Sequence, residues 1–121
     1  MQQFKLPDAH KIYLDMLNQI FEIEKKLERI QEPNSISRNL SKLKELFETE
    51  LYSESACGLS YYNPIDEAYS ETRTDCDASI AGGSTDNLVI IEVIKPIIRF
   101  KQGGFNHIVQ RGVVVVQSQN S

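Results

Sequence analysis

Cysteine and histidine are scarce in this chain of 121 residues, which has two of each. Cys57 and Cys76 do not have the C-x-x-C spacing of a zinc site, and His10 and His107 are far apart in sequence, so we expect no bound metal. A disulfide between the two cysteines is one alternative, but reduced thiols are expected in a cytosolic protein. Cys76 lies between two aspartates, whose charges raise rather than lower the pKa of a thiol.

Long apolar runs and catalytic motifs are also missing. No apolar stretch approaches the ~18 residues that span a membrane, and the N-terminus lacks the apolar core of a secretion signal, which together predict a cytoplasmic protein without a membrane partner. There is no G-x-S-x-G, P-loop or dinucleotide-binding motif. Two carboxylate pairs, Asp66-Glu67 and Asp75 with Asp77, are interpreted as solvated acidic loops. We therefore expect neither an enzyme nor a cofactor.

Basic residues are few in the second half of the chain. Residues 51–87 hold one basic and seven acidic side chains, whereas residues 88–121 hold four basic and one acidic. Four basic residues among many aliphatic ones do not form the basic stripe of a nucleic-acid-binding protein, so no nucleic acid partner is expected. We expect the acidic segment to pack against the basic one within a single domain, with a charged docking face as the alternative.

What the sequence does have is a ladder of apolar residues in its first thirty positions, with alternating steps of three and four residues. Such spacing keeps one seam on one side of an underwound helix, which is typical of a coiled coil. We predict a helix from about Pro7 to about Gln31, ending before Pro33. Further apolar residues widen the first half of the seam and favour a helical bundle. The predicted seam is Leu6, Ala9, Tyr13, Met16, Ile20, Ile23, Leu27 and Ile30, widened by Ile12, Leu14, Leu17 and Phe21.

A second helix is predicted to follow a short connector, with candidate N-cap residues around Ser35. Its apolar stripe includes Leu40, Leu43 and Phe47. Because the connector is short, the two helices are expected to pair antiparallel, and two such pairs from two protomers would form a four-helix bundle. The alternative is a single chain that covers its own seam. We favour a homodimer assembled through the seam residues and this second stripe.

The second half of the chain has the composition of a β domain. Residues 52–87 show no clean period and are interpreted as a helix exit, turns and a flexible loop at 78–87. Residues 88–100 form a β segment interrupted at Pro96, followed by a Gly103-Gly104 turn and a returning strand at 105–117 with a bulge at Gly112. The fold class is therefore α+β, with coiled-coil and bundle helices over residues 1–55 and a β-rich head domain over residues 56–121.

Three stretches of the head resemble the GrpE family. Tyr62-Asn63-Pro64 followed by Glu67-Ala68 is similar to the family's aromatic-Asp/Asn-Pro…His-Glu-Ala stretch, with Asp66 where the family has histidine. Glu92-Val93 running on to Lys95-Pro96 resembles the strand that leads into the family's Gly-aromatic turn. Arg111 followed by the valines at 113–116 resembles the closing Arg-x-Ala-x-Val-x-Val strand. Gly104-Phe105 and Lys95-Pro96 remain alternative positions for the Gly-aromatic pair.

The resemblance implies a dimeric nucleotide exchange factor for a DnaK-type heat-shock chaperone, whose β head binds the ATPase domain and opens its nucleotide cleft. The implied partner-binding residues are Pro64, Glu67, Gly104, Phe105 and Arg111. A partner that prefers the open state lowers nucleotide affinity through linkage, without touching the nucleotide. The alternative function is a dimeric coiled-coil adaptor whose β head binds another protein.

Overall fold

The computed structural model describes residues 6–30, 35–52 and 56–119, and these form an α+β fold with two α-helices and six strands in two sheets. A 3₁₀ turn at Asp8–His10 precedes the first helix. The elements in chain order are α1 (Lys11–Glu28), α2 (Ile36–Thr49), β1 (Cys57–Tyr62), β2 (Cys76–Ala81), β3 (Leu88–Lys95), β4 (Ile97–Gln102), β5 (Phe105–Gln110) and β6 (Gly112–Ser118). Neither described helix combines the length and apolar character needed to cross a membrane.

The chain divides into two compact units, and neither is one continuous segment. The helical unit comprises the described residues up to Tyr61 together with Arg99–Val109, and the sheet unit comprises Tyr62–Ile98 together with the described residues from Gln110 onward. Our predicted boundary after residue 55 therefore does not coincide with the division. The reason is that β1, β4 and β5 pair in one sheet, which brings the β4–β5 hairpin to the helices from a distant part of the sequence.

The two helices run antiparallel, as predicted. The Tyr52 hydroxyl lies 3.2 Å from His10 Nδ1 near one end of the pair, and Lys44 Nζ lies 3.2 Å from Glu24 Oε2 toward the other. α1 ends at Glu28, slightly before the predicted end, while Gln31 and Pro33 lie outside the described residues. Ser35 occupies the N-cap of α2, but its side chain makes no capping hydrogen bond.

The predicted seam is divided between the core and the surface of the helical unit. α1 contacts α2 through Glu24 and Lys44 and contacts β1 through Phe21 and Tyr61, and the residues predicted as one interface separate into two sets. The buried members are Leu6, Leu17, Ile20, Leu40 and Phe47, joined by Phe21. The half-buried or exposed members are Ala9, Tyr13, Met16, Ile23, Leu27, Ile30 and Leu43.

The strand β1 was not predicted, because its sequence, CGLSYY, has no clean apolar alternation. Its place beside α2 depends on Gly58, since a Cβ atom there would lie 1.9 Å from the carbonyl oxygen of Glu48. Any side chain at this position would overlap backbone atoms. The close approach of β1 to α2 thus requires glycine.

In the sheet unit, β6 is the central strand. It pairs parallel with β2, in a register that aligns Cys76 with Gly112 and Ile80 with Val116, and antiparallel with β3. Val114 and Val116 are fully buried whereas Val113 and Val115 are half-buried, so the valine run is buried more deeply on one face. The break at Pro96 is confirmed, because β3 ends at Lys95 and β4 begins at Ile97.

Two predictions for this region were wrong. The stretch 78–87 is not a loop throughout, because β2 occupies its first part by pairing with β6, a long-range contact that small and polar residues do not signal locally. The returning strand is not continuous, since β5 and β6 belong to different sheets. Gly112 begins β6 instead of forming a bulge within one strand, and a Cβ there would lie 3.0 Å from Ile97 and 3.2 Å from Cys76 Sγ.

Candidate partner-binding surfaces

The segment that carries the Asn-Pro motif lies against β3. The Asp66 amide donates to the Ile90 carbonyl and the Ile90 amide donates to the Glu67 carbonyl, both at 2.9 Å. Ala68 forms a bridge with Val89. Because β3 also pairs with β6, the three stretches that resemble the GrpE family are joined by hydrogen bonds into one unit, although they are separated in the sequence.

The motif residues themselves have different exposures. Pro64 is fully buried, so its ring belongs to the core of the sheet unit. The Ile65 amide donates to Asn63 Oδ1 at 3.2 Å, which fixes the turn after the proline. Asp66 occupies the left-handed region with φ of 69°. A partner at this place would therefore contact Ile65 and Asp66, which are exposed, instead of the proline ring.

Arg73 forms ion pairs with two acidic residues of the sheet unit, Glu67 and Asp75. Its Nε lies 2.6 Å from Asp75 Oδ1, its Nη2 lies 2.9 Å from Glu67 Oε1, and its Nη1 donates to the Ala68 carbonyl at 3.1 Å. Tyr62 donates a hydrogen bond to Glu67 as well. The interpretation of Glu67 and Asp75 as solvated acids was wrong, since both carboxylates are paired with one largely buried guanidinium.

This network also shifts the pKa values of its members. The hydrogen bond from Tyr62, followed by the interactions with Arg73, lowers the pKa of Glu67 against the opposing effect of burial. Burial raises the pKa of Asp75, but the hydrogen bond and charge of Arg73 outweigh it and leave that pKa lowered. The pKa of Arg73 is raised, chiefly by its hydrogen bond to Asp75. All three groups are therefore held in their charged forms.

Arg111 is occupied by contacts within the sheet unit. Its Nη2 donates to the Cys76 carbonyl at 2.9 Å, and its Nη1 lies 2.9 Å from Asp77 Oδ1. These contacts attach the start of β6 to the start of β2. About half of the Arg111 side chain remains exposed, so a partner could reach the guanidinium only by sharing it with Asp77.

Both cysteines are free and buried. Burial, followed by the charge of Asp75, raises the pKa of the Cys76 thiol to about 11, in the direction predicted from its acidic neighbours. The thiol is therefore protonated at neutral pH and a poor nucleophile. Among the described residues, no group of three histidine, cysteine, aspartate or glutamate side chains is placed to hold a metal ion.

The tip of the β4–β5 hairpin presents the most exposed aromatic residue of the described chain. Phe105 is 71% exposed, and its ring stacks on that of His107 with 6.3 Å between ring centroids. Gly103 has φ of 60°, a backbone conformation that favours glycine. The turn predicted at Gly103-Gly104 is confirmed, because β4 ends at Gln102 and β5 begins at Phe105. This tip belongs to the helical unit, whereas Pro64, Glu67 and Arg111 belong to the sheet unit. The predicted partner-binding residues are thus divided between the two units.

The helices carry a second exposed surface, which we call the helix stripe. It contains Met16, Ile23 and Ile30 of α1 and the segment after it, seven residues apart, with Ile36, Leu43 and Leu46 of α2. Glu24 accepts hydrogen bonds from Lys44 and Tyr61, and the stripe lies to one side of these contacts. Ile23 precedes Glu24 by one position and Leu43 precedes Lys44 by one position, which turns each about 100° around its helix from the contact. Four of its members, Met16, Ile23, Ile30 and Leu43, are among the interface residues predicted from the sequence.

Sequence reasoning did not identify Arg73, which lies in a stretch without a periodic pattern. The acidic residues on both sides of it, Glu67, Glu71, Asp75 and Asp77, are the signal that could have suggested a central cation. No family model matches the chain, and neither a curated protein nor a solved structure matches it.

Proposed function

We propose that the protein is a cytoplasmic, homodimeric nucleotide exchange factor for a DnaK-type heat-shock chaperone, as a divergent relative of the GrpE family. One observation supports this function most directly. The three stretches that resemble the family are Tyr62 to Ala68, Glu92 to Pro96 and Arg111 to Val116, and they assemble side by side in the sheet unit. If the resemblance were due to chance, there would be no reason to expect the three stretches to lie next to one another in the fold.

The helix stripe supports the dimeric part of the proposal. Met16, Ile23 and Ile30 repeat at seven-residue intervals, as do Ile36 and Leu43, which is the period with which helices pair in coiled coils and bundles. An exposed apolar stripe with this period on both helices of a hairpin matches the surface that a second hairpin would cover. Four helices from two chains would then form the dimer.

The proposed activity requires a preference for one state of the chaperone. The β-rich part of the chain, residues 56–121, would bind the ATPase domain more tightly when the nucleotide cleft of that domain is open, so that binding shifts the population toward the open state. By linkage, the same difference in affinity weakens ADP binding. A hundredfold acceleration of ADP release corresponds to about 2.7 kcal/mol of barrier lowering, which a few apolar and polar contacts can supply.

Phe105 is the residue that we expect to contribute most to the contact. It is largely exposed at a hairpin tip, and large aromatic side chains are frequent hot spots of protein interfaces. Glu67 and Arg111 already have partners within the chain, so their proposed role is to hold the sheet unit in shape. Pro64 is buried, so its proposed role is to pack in the core of the sheet unit.

The experiment is the release of a fluorescent ADP analogue from the DnaK-type chaperone of the same organism, followed by stopped flow with and without this protein. We expect accelerated release that saturates with protein concentration. Phe105→Ala should remove most of the acceleration, while Ile91→Ala, a change at another exposed apolar residue, should not. Unaltered release at saturating protein would contradict exchange activity. Binding to a different protein would then favour the alternative, a dimeric adaptor.

A further inference from the structure

The strand β2 leaves one edge of its sheet open. In the order β2-β6-β3 it is a terminal strand, and the Gly112 amide donates to the Asp75 carbonyl at 2.9 Å. In a parallel pair, alternate residues turn their backbone groups toward the neighbouring strand. Asp75, Asp77 and Ser79 therefore face β6, while the N–H and C=O groups of Ala78 and Ile80 face outward. No described strand pairs with them.

The same two residues line a groove of about 590 Å³. Tyr69, Ser70 and Glu71 and the stretch from Thr85 to Leu88 also line it. Ile80 is 48% exposed and gives the lining an apolar side chain. The groove thus joins open backbone groups and an uncovered apolar side chain within the sheet unit.

The charged side chains that line the groove are all acidic. Glu71 and Asp86 are its charged lining residues, both are exposed, and neither forms an ion pair with a described residue. The imbalance extends to the whole sheet unit, which has seven acidic and three basic side chains, whereas the helical unit has ten of each. The expectation that the basic residues of 88–121 neutralise the acidic segment within one domain is met only in part, because Arg111 pairs with Asp77 but Arg99 and Lys101 belong to the helical unit.

We infer that β2 and this groove form a docking site for an extended, basic segment of a partner protein, which adds to the sheet as a further strand. Main-chain hydrogen bonds to Ala78 and Ile80 would supply affinity, as in other cases of strand addition. Lysine or arginine side chains on the groove face would pair with Glu71 and Asp86, and an apolar side chain between them would cover Ile80. The groove belongs to the sheet unit, whereas Phe105 belongs to the helical unit, and the proposal does not depend on the exchange activity proposed above.

The test uses the full-length protein and a fluorescein-labelled peptide with a Lys-Thr-Val-Thr-Lys core and Ser-Gly flanks. In a strand, this core places both lysines and the valine on one face. We expect saturable binding by fluorescence anisotropy that weakens with added salt, together with shifts of the Ala78 and Ile80 amide signals in NMR spectra. A peptide with glutamate in place of lysine should not bind. Absence of saturable binding of the lysine peptide up to about 1 mM would overturn the proposal.

Two modified peptides test whether the strand edge is used. One carries N-methyl groups on the lysine and valine residues, and the other carries them on the threonines. Because a strand directs alternate N–H groups to opposite edges, one of the two should lose binding and the other should retain it. Equal binding of both would contradict strand addition.

Charge reversal in the protein tests the contribution of the groove. Glu71→Lys and Asp86→Lys should each weaken binding of the lysine peptide about fivefold, as expected for the loss of one exposed ion pair and the gain of a repulsion. Glu92→Lys changes the same charge at an exposed position of β3 outside the groove and should have little effect. Equal losses in all three variants would reduce the effect to net charge and refute the groove as the site.

Discussion

Replacing Ile23 with aspartate is expected to convert the proposed dimer into a monomer without unfolding the chain. Ile23 is 45% exposed and lies on the helix stripe, outside the buried contacts between α1 and α2. An aspartate at this position meets water in the monomer, so the helical hairpin should tolerate it. In a dimer, the same carboxylate would be covered by apolar side chains and would oppose association.

The size of the effect follows from the remaining exposure. Complete burial of an isoleucine side chain stabilises by about 2 kcal/mol, so covering the exposed half of Ile23 contributes about 1 kcal/mol per copy. A two-fold interface contains the residue twice, which gives about 2 kcal/mol per dimer, or about thirtyfold in the dissociation constant. The six stripe residues together contribute about 12 kcal/mol per dimer on this basis, against an association cost of about 4–15 kcal/mol. The dimer should therefore have moderate affinity and respond clearly to one substitution.

Sedimentation velocity over a range of protein concentrations is the suitable measurement, with circular dichroism to check the fold. The control is Ile91→Asp, because Ile91 is 44% exposed but lies on β3 of the sheet unit. We expect Ile23→Asp to be monomeric where the unsubstituted protein and the control are dimeric. An unsubstituted protein that stays monomeric at about 100 µM, or a variant that dimerises equally well, would refute the assignment of the helix stripe as the interface.

Three further predictions concern the stability and reactivity of the chain. Gly58→Ala should abolish stable folding, because its Cβ would lie 1.9 Å from the Glu48 carbonyl oxygen, whereas Gly104→Ala, with no atom within 4 Å of the new Cβ, should keep a melting temperature close to that of the unsubstituted protein. Arg73→Met should lower the free energy of unfolding by about 2 kcal/mol at neutral pH, less than for a fully buried pair. Its two carboxylate partners have pKa values held below the ordinary range, so the stabilisation is present above about pH 4 and is lost as the pH falls through the lowered values. Urea titrations at pH 7 and pH 3 should show the deficit shrinking in acid, and an equal deficit at both would contradict the electrostatic explanation. Cys76 should resist iodoacetamide at pH 8 until the chain is unfolded, as measured by mass spectrometry, since its thiol is buried with a pKa of about 11; rapid labelling of the folded protein would be inconsistent with that environment.

Much of the fold could be predicted because the signals are local. The apolar period of α1, the short connector to α2, the break at Pro96 and the Gly103-Gly104 turn each depend on a few adjacent residues. Such patterns reflect backbone and side-chain preferences that act wherever the segment is placed.

The strands β1 and β2 could not be predicted in this way. β1 requires the close approach that Gly58 allows, and β2 forms because Cys76–Ala81 pairs with a strand more than thirty residues later. Its small and polar residues have weak strand preference, so tertiary pairing decides their conformation. The Arg73 network was hidden for a different reason, because its partners lie within six residues but in a stretch without a periodic pattern.

The candidate surfaces likewise differ in whether the sequence alone could identify them. Phe105 at a hairpin tip and the apolar helices were identifiable from the sequence, because both depend on residues within one element. The open edge of β2 and its acidic groove became visible only with the strand order and with the stretch from Thr85 to Leu88 in place.

The sequence by itself determined that this chain has a helical hairpin followed by a β-rich part, since apolar periodicity and turn residues act over short distances. Tertiary structure alone decided which half of the α1 seam is buried, because that depends on what α2 covers. It likewise decided that the β4–β5 hairpin belongs with the helices and that the excess negative charge belongs to the sheet unit. These properties arise from pairing between distant segments, which no local pattern specifies.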